Sequence, residues 1–588
     1  MKVVRYEDNL AIQIPDGHFY HDIVRSLPKR RFLPAKKLWV FPPWLAIMEY
    51  VKANLPALSW DAGAEARYYA EFSADQYRAR VAAGEVDFSA ELTGVPFKMP
   101  PYDHQRRALL MGRDQTVFAY LMDQGTGKTK VILDDAAHNF REGLIDALLV
   151  VSPNSVKTNW VNTSTDDDEV EKHMPPDIPF VKAAYFSAPT ASQKEDLAEL
   201  KRAMGRRDFL LILSMNVEGI WTKGAEAAAR DFLKRRKAML VVDESTRIGN
   251  RSSRRTKTLL LLRKLAPLAR IASGTPVIKS PLKAYSQFGF LDANILGSPT
   301  YTEFQARYAV MAKIAARTRQ GDREVEIAVR YTNVDELAGK IAGVSFRVTK
   351  EQCLDLPPKV YQRRNIYMTT EQGRWYQKMR DDSIVHLTQQ HKVVAPTVLT
   401  QLLRLQQITA GYLPLIDPVT YEQTGIVKIG EGPPTKIQEA MAIIEETDGK
   451  VIVWCKFKFE IEEMRDACLA AGVSAVTFYG ETSEDDRMKA RARFQDDPGL
   501  KVFIGQVRTG GVGITLHAAS TVIYLSNTFS TEDRVQSEDR AHRIGQTKSV
   551  NYYDLVVPNT VDIKIIAVLR ENKRVSDEVM RDGFKAWI

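Results

Sequence analysis

Two groups of residues, far apart in the chain, have the types and spacing needed to hold and cleave a phosphate anhydride. The first is the run MDQGTGKT at 122–129. Gly125 and Gly127 allow a tight turn that aims backbone N–H groups at phosphate, with Thr126 between them. The helix expected next adds the positive end of its dipole. Lys128 has the reach for the outer phosphates, and the Thr129 hydroxyl suits Mg²⁺. Met122 stands where the strict GxxxxGK[ST] pattern has glycine. The second group is QSEDRAHRIGQ at 536–546, which spaces Arg540 and Arg543 three residues apart, expected on one helical face behind Gln536. Guanidinium groups stay charged and fork onto phosphate oxygens, so the pair is suited to charge developing on a γ-phosphate. The expectation is one ATP held between two lobes, whose opening and closing the nucleotide controls.

Three further runs extend this chemistry. AMLVVDEST carries an apolar strand into Asp243 and Glu244. An acid there can hold Mg²⁺ (Asp243), and its neighbour can orient or deprotonate the attacking water (Glu244). SGTP supplies Ser273, Gly274 and Thr275 after a strand, small groups suited to linking the ATP site to a bound strand. RTGGVGITL at 508–516 is a glycine-rich turn: Thr509 and Gly510 are expected near a phosphodiester backbone, Gly511 and Gly513 near the nucleotide. Taken singly, an RxxR or a DE pair is usually a solvated helix face or strand end; their order along one chain favours the functional reading. The DDDE run at 166–169 and the KRRK run at 234–237 are expected to be solvated helix ends.

The elements that must position these groups can also be read. Short apolar runs (TVFAYL, ALLVVS, LLILS, AMLVVD, RIAS) alternate with helical stretches from about 100 to 280, and KVIVWC, AVTFYG, KVFIGQ, TVIYLS and VNYYDLV repeat the pattern further on. This is an α/β chain with two parallel-sheet lobes. The expected divisions are 1–95, a small α+β accessory domain; 96–281, the first lobe; 282–432, mainly helical insertions and linker, with one alternating stretch, REVEIAVRY; 433–560, the second lobe; and 561–588, a helical brace. In the accessory domain KRRFLPAKKLWVFPPW mixes basic and aromatic residues. Lys29, Arg30 and Arg31 are placed to meet phosphate, with Phe32 and Trp39 available to exposed bases; a small sheet with a solvated basic edge is the alternative.

Composition sets outer bounds. The 588 residues exceed one core, and 44% hydrophobic with 26% charged residues is an ordinary globular balance. A net charge of +9 permits a polyanionic partner without requiring one. Three cysteines without a CxxC pair argue against zinc and disulfide frameworks. No apolar run approaches membrane-spanning length and the N-terminus has no signal-peptide core, so a soluble cytoplasmic protein is expected, bacterial or viral, or nuclear if eukaryotic.

The motifs together resemble the Swi/Snf-type ATPases of helicase superfamily two, over about residues 100–570. PYDHQRRAL is similar to that family's adenine-reading motif, with Gln105 as reader; VVSPNSVKTNW resembles its first strand-contact motif, implying Ser152 and Asn154. SGTPVIKSP, LDLPPKVYQRR, VIVWCKFKFEIEEM (implying a contact from Lys456) and RAHRIGQ also fit. The resemblance implies RecA-like lobes, ATP and Mg²⁺, and a monomeric motor that tracks on double-stranded or forked DNA, with remodelling or reannealing of forks. Residues 18–43 are similar to the HARP-type module of annealing helicases. Two departures stand out: DEST replaces the DEAH-type motif, removing a histidine that can couple the lobes, and Asp539 replaces the glycine many helicases have before the first arginine. A strand-separating DNA or RNA helicase, the motor of a restriction or defence complex, and a non-hydrolysing DNA-binding protein remain rival readings.

Overall fold

A computed structural model describes residues 1–7, 9–27, 30–43, 45–162, 168–274, 281–318, 321–353, 355–389, 395–417, 422–482, 484–507 and 514–570. Lys29, Thr275, Thr509, Gly510, Gly511, Gly513 and most of the expected C-terminal brace lie outside them. The chain divides into two compact units. One comprises Met1–Met122, Gly127–Val310 and Arg330–Val348; the other comprises Asp123–Thr126, Met311–Val329 and the chain from Thr349 onward.

The first unit begins with a five-stranded sheet in the order Arg31–Leu33, Leu38–Phe41, Asn9–Gln13, Lys2–Tyr6, Ser59–Trp60. It is antiparallel except at its last pairing. Val3, Leu10, Ile12 and Phe41 on one face pack with Val24, Met48 and Val51 of two helices. The unit's main element is a seven-stranded sheet in the order Ser345–Val348, Val117–Met122, Leu268–Ala272, Ala238–Val242, Ala147–Ser152, Leu210–Asn216, Phe180–Ala184. Every pairing is parallel. Ala147–Ser152 and Ala238–Val242 are buried at every residue, as expected of strands covered on both faces. All C-terminal strand ends in such a sheet open on one edge, where ligands of α/β proteins bind. The turns after Met122, Ser152, Val242 and Ala272 all leave from that edge.

One polar cluster crosses this apolar layer. Arg270, in the middle of a fully buried strand, has no exposed side-chain surface. Its Nε donates to Asp135 Oδ2 at 2.7 Å and its Nη2 to Oδ1 at 3.3 Å. The guanidinium also donates to the carbonyls of Gly112, Thr116 and Ala269. Asp135 accepts in addition from Tyr120 Oη and Asn139 Nδ2. It lies on the Lys128–Arg141 helix, so the helix opened by the glycine-rich loop is tied to the strand that delivers Ser273.

The second unit has a six-stranded parallel sheet: Lys359–Asn365, Val550–Val556, Ala519–Tyr524, Lys450–Cys455, Val502–Gln506, Ala475–Phe478. Beside it, Leu402, Leu405 and Ile408 of Ala395–Thr409 pack with Tyr376, Val561 and Ile565. A buried pair, Lys436 Nζ to Asp562 Oδ2 at 2.7 Å, joins the first turn of Thr435–Glu446 to Val561–Arg570.

The stretch 282–432 is less helical than the sequence suggests. Ser345–Val348 is an edge strand of the first sheet and Lys359–Asn365 an edge strand of the second. Ala309–Thr318 and Gly321–Tyr331 pair as a two-stranded sheet, and Tyr412–Ile416 pairs antiparallel with Gln423–Lys428. Edge strands have one neighbour each and need little apolar character, which is why KVYQRRN gives so weak a strand signal. Two residues in runs expected to be solvated are buried, while Lys234, Arg235 and Lys237 are exposed as expected. Arg236 is buried, and its guanidinium donates to the carbonyls of Met204, Arg206, Asp146 and Phe209. Asp168 is buried as the N-cap of Glu169–His173, accepting from Asn162 N, Glu171 N and Lys182 Nζ. Both charges are kept inside by close partners: Arg236 also lies 3.0 Å from Asp146 Oδ1, and Asp168 accepts from three donors. Among the described residues, no helix is long and apolar enough to cross a membrane.

Removing one partner of a buried pair strands the other's charge. Arg270→Met is expected to cost about 3–5 kcal/mol, and the double variant Arg270→Met/Asp135→Leu to recover much of that. Denaturant unfolding of the two variants checks this; equal loss in both would remove the pair from its structural role.

Candidate nucleotide and nucleic-acid site

The glycine-rich loop has the backbone its sequence demands. Gly125 has φ 83° and Gly127 φ 88°, conformations that side chains with a Cβ rarely adopt. A Cβ on Gly127 would lie 2.1 Å from Gln105 Nε2. The buried Gln105 side chain is held from behind, its Oε1 accepting from Tyr102 N at 3.0 Å, so it packs directly on the loop. Gly127 is followed at once by the Lys128–Arg141 helix, whose N-terminus has no side-chain cap; the positive end of a helix dipole there suits an anion. Lys128 Nζ donates to Met122 O at 2.9 Å across the base of the loop. Thr129 is half-buried on the first helical turn; Thr126 is buried, its hydroxyl donating to Asp123 O at 2.7 Å.

Asp243 and Glu244 follow the Ala238–Val242 strand, on the same sheet edge. Asp243 Oδ2 accepts the indole N–H of Trp160 at 2.9 Å and Oδ1 accepts Glu244 N at 2.9 Å. Burial, then the neighbouring Glu244, push the Asp243 carboxyl up to about 6, while Lys128, Trp160 and Glu244 N act the other way. An acid destabilised as an anion by burial and by a neighbouring carboxylate is one that a cation beside it would relieve. Glu244 itself has φ 50°, a strained backbone for a non-glycine residue. Ser245, the next residue of DEST, donates from Oγ to Gln287 Oε1 at 2.8 Å.

Ser273 is buried at the end of its strand and Gly274 half-buried beyond it. Of the expected strand contacts, Asn154 is exposed at the start of the Asn154–Trp160 helix. Ser152 is fully buried and its hydroxyl faces inward. In the N-terminal sheet Arg30 and Arg31 are exposed, and Phe32, 39% exposed, packs on Trp39 at 4.9 Å between ring centroids. Trp39 Nε1 donates to His21 Nδ1 at 3.0 Å, so that ring is anchored rather than free.

In the second unit the arginines do not sit on a helical face. The Thr531–Glu538 helix ends before them, and Arg540 and Arg543 occupy the turn that follows. The chain tightens there: Arg540 N donates to Ser537 O and Ala541 N to Glu538 O. Gln546 Nε2 donates to the carbonyls of Ala541, His517 and Ala519, tying the end of the turn to the segment before the Ala519–Tyr524 strand. Arg540 is buried, with Nε donating to Gln536 O at 3.0 Å and Nη1 to Ile514 O at 3.1 Å. Its Nη2 donates to the side-chain oxygen of Gln124, a loop residue belonging to this unit. Gly125, also of this unit, leaves room for Arg543: an added Cβ would lie 3.0 Å from Arg543 Cβ. Gln536 therefore serves Arg540 through its carbonyl, beneath the turn. Asp539 has clear partners: Lys350 at 2.7 Å and Lys359 at 3.3 Å.

Lys456, expected on a bound strand, points inward. Its Nζ donates to Gln406 Oε1 at 2.6 Å and sits 3.3 Å from the Phe529 ring centroid. Burial pushes its ammonium down to about 7, reinforced by Lys436 and opposed by Glu460 and Asp562. Sequence reasoning had no signal for Gln124, Lys350 or the Arg270–Asp135 pair. Trp160 did lie in a quoted run, but nothing in its spacing pointed to Asp243.

A model of the SNF2-related domain matches residues 51–411, more than half of the chain, and one of the helicase conserved C-terminal domain matches 435–545. The chain belongs to the SNF2-related family and carries the ATPase domains of a superfamily-two helicase. Neither model reaches residues 1–50. It is similar to the DNA annealing helicase and endonuclease ZRANB3 of Bos taurus, at 24% identity over 78% of this chain and 38% of that one. An uncharacterized ATP-dependent helicase of Mycoplasma pneumoniae is 23% identical over 82% of this chain and 42% of its own length. The chain thus spans less than half of these relatives. A solved Sulfolobus solfataricus SWI2/SNF2 ATPase core in complex with double-stranded DNA is 22% identical, covering 82% of this chain and 94% of that one, with a TM-score of 0.35.

Two predictions follow from this geometry. Gly127→Ala forces a left-handed alanine onto Gln105, and nucleotide affinity is expected to fall about tenfold or more; calorimetry with a slowly hydrolysed ATP analogue reads it, and unchanged affinity would dissociate Gly127 from the nucleotide. For Lys456 the native ammonium loses its proton near 7 while the unfolded one holds it to the ordinary lysine range. The unfolded chain therefore binds more protons across that window, and stability should rise with pH through it. Lys456→Met should flatten the rise in thermal midpoint from about pH 7 to about pH 10; an unaltered slope would return Lys456 to the surface.

Proposed function

We propose that the protein is a DNA-stimulated ATPase that translocates on double-stranded DNA and remodels or reanneals forks. The observation that supports this reading is the joint presentation, on one sheet edge, of a left-handed glycine loop, Lys128 and the Asp243–Glu244 pair. In this reading Gln105, Gly125, Thr126, Gly127 and Lys128 bind the nucleotide. Thr129 and Asp243 hold Mg²⁺, which when bound neutralises phosphate charge. Glu244 orients the attacking water and accepts its proton. Arg540 and Arg543 balance the charge that builds on the γ-phosphate.

Strand contacts are assigned to Asn154 and to Ser273 and Gly274, with Arg30, Arg31 and Phe32 engaging a fork junction. The relatives' names, a DNA annealing helicase and endonuclease and an uncharacterized ATP-dependent helicase, accord with an ATP-driven helicase-type activity. The protein acts as a monomer in the compartment that holds the DNA, the cytoplasm of a bacterium or the nucleus of a eukaryote.

Phosphate release measured beside duplex, single strand, fork and RNA tests the proposal. Stimulation by duplex or fork is expected; a chain idle with every polynucleotide would refute it. Lys128→Ala should abolish turnover and leave duplex binding intact. Affinity that rests on phosphate contacts should fall steeply with salt, about tenfold or more between 50 mM and 200 mM. A flat salt dependence would contradict backbone tracking.

A further inference from the structure

DEST lacks the histidine through which related motifs couple hydrolysis to other parts of the motor, yet Asp243 is not isolated. Its Oδ2 accepts the indole N–H of Trp160 at 2.9 Å, while Oδ1 accepts Glu244 N at 2.9 Å. With a donor on each oxygen, the carboxylate cannot rotate freely about its Cβ–Cγ bond. Trp160 is among the largest side chains with essentially no exposure, and Asp243 is 6% exposed. A bond to a charged group in such surroundings is stronger than one at the surface. Trp160 is also the last residue of the Asn154–Trp160 helix, whose first residue is exposed. That first residue is fixed at its own end: Asn154 N donates to Glu218 Oε2 at 3.0 Å, and its Oδ1 accepts from Asn216 Nδ2 at 3.2 Å. Halfway along, Ser214 Oγ donates to Lys157 O, and Lys157 Nζ lies 3.3 Å from the Phe186 ring centroid. One short, well-seated helix thus has a surface group at its start and the acid's hydrogen-bond donor at its end.

We propose that Trp160 is a positioning residue: it sets the Asp243 carboxylate for cation and nucleotide, and makes the Asn154–Trp160 helix the link between the strand-binding surface and the hydrolytic acid. This rests on the functional reading above. The ring fills volume that any large aromatic could fill, but only the N–H fixes the acid.

The test separates those two parts. Trp160→Phe removes the donor and some volume; replacing Trp160 by 3-benzothienylalanine removes the N–H while keeping the ring's shape, and decides the matter if Trp160→Phe does not fold. Losing a hydrogen bond to a charged group should lower duplex-stimulated kcat about tenfold or more. At saturating Mg²⁺ the KM for ATP and the duplex Kd should stay within about twofold, because in this reading the indole acts through Asp243 and not on either ligand directly. The Mg²⁺ concentration for half-maximal binding of ATPγS, read by calorimetry without turnover, should rise several-fold. Wild-type kcat and wild-type Mg²⁺ requirement in the isosteric variant would overturn the inference, as would a kcat loss matched by loss of folded protein. If the wild-type chain binds Mg²⁺ and ATPγS but stays idle toward ATP whichever polynucleotide is added, the proposed function fails, and the Mg²⁺ titration still decides the role of Trp160.

Discussion

The first unit depends on a buried charge pair, Arg270 with Asp135. A guanidinium in the middle of a central parallel strand would ordinarily disrupt the layer around it. Here all its hydrogen-bonding capacity is met by one carboxylate and three backbone carbonyls. Because Asp135 is on the helix that opens at Gly127, the pair fixes that helix against the sheet. The Lys128–Arg141 helix, the Asp243 strand and the Ser273 strand then hold a common frame. Gly112 allows this closeness: a Cβ there would lie 2.4 Å from Tyr120 Oη, the hydroxyl that shares Asp135.

The same device recurs at other polar points of the chain. Arg236 is held by four carbonyls and the Asp146 carboxylate, and Asp168 by three donors. In the second unit Arg534 bonds Glu538 and Asp554 while stacking 3.6 Å from the Tyr524 ring centroid. Glu538 in turn accepts from Lys359 and Tyr361 Oη. Buried charge of this kind contributes modestly to net stability. What it gives is a restricted geometry at the turn that carries Arg540. Asp539 belongs to this set, since with Lys350 and Lys359 it anchors the start of that turn. A glycine at 539 would offer neither bond.

The parallel strands, the glycine turn and the acidic pair were legible in the sequence because each has a local cause. Apolar runs mark strands covered on both faces, and glycines mark backbone that other residues avoid. The arginine turn was half legible: the residue types were apparent, while the helix end and the tertiary bonds that hold the turn, such as Gln546 to His517 and Ala519, were not. Edge strands Ser345–Val348 and Lys359–Asn365 were missed because a single neighbour demands little of composition. Lys456 was misplaced for a related reason, since its spacing could not disclose Gln406 and Phe529 beneath it.

The sequence by itself therefore determined the class of chemistry, through residue types that few other tasks require together: glycines at the turn, a lysine and threonine after it, an acidic pair, and two arginines. Tertiary structure decided which side chain holds which. That Trp160 meets Asp243, that Arg270 meets Asp135 and that Arg540 meets Gln124 are facts of packing between segments far apart in the chain. Periodicity reports the solvent on one face of an element; it carries no information about which distant donor will satisfy a buried acceptor.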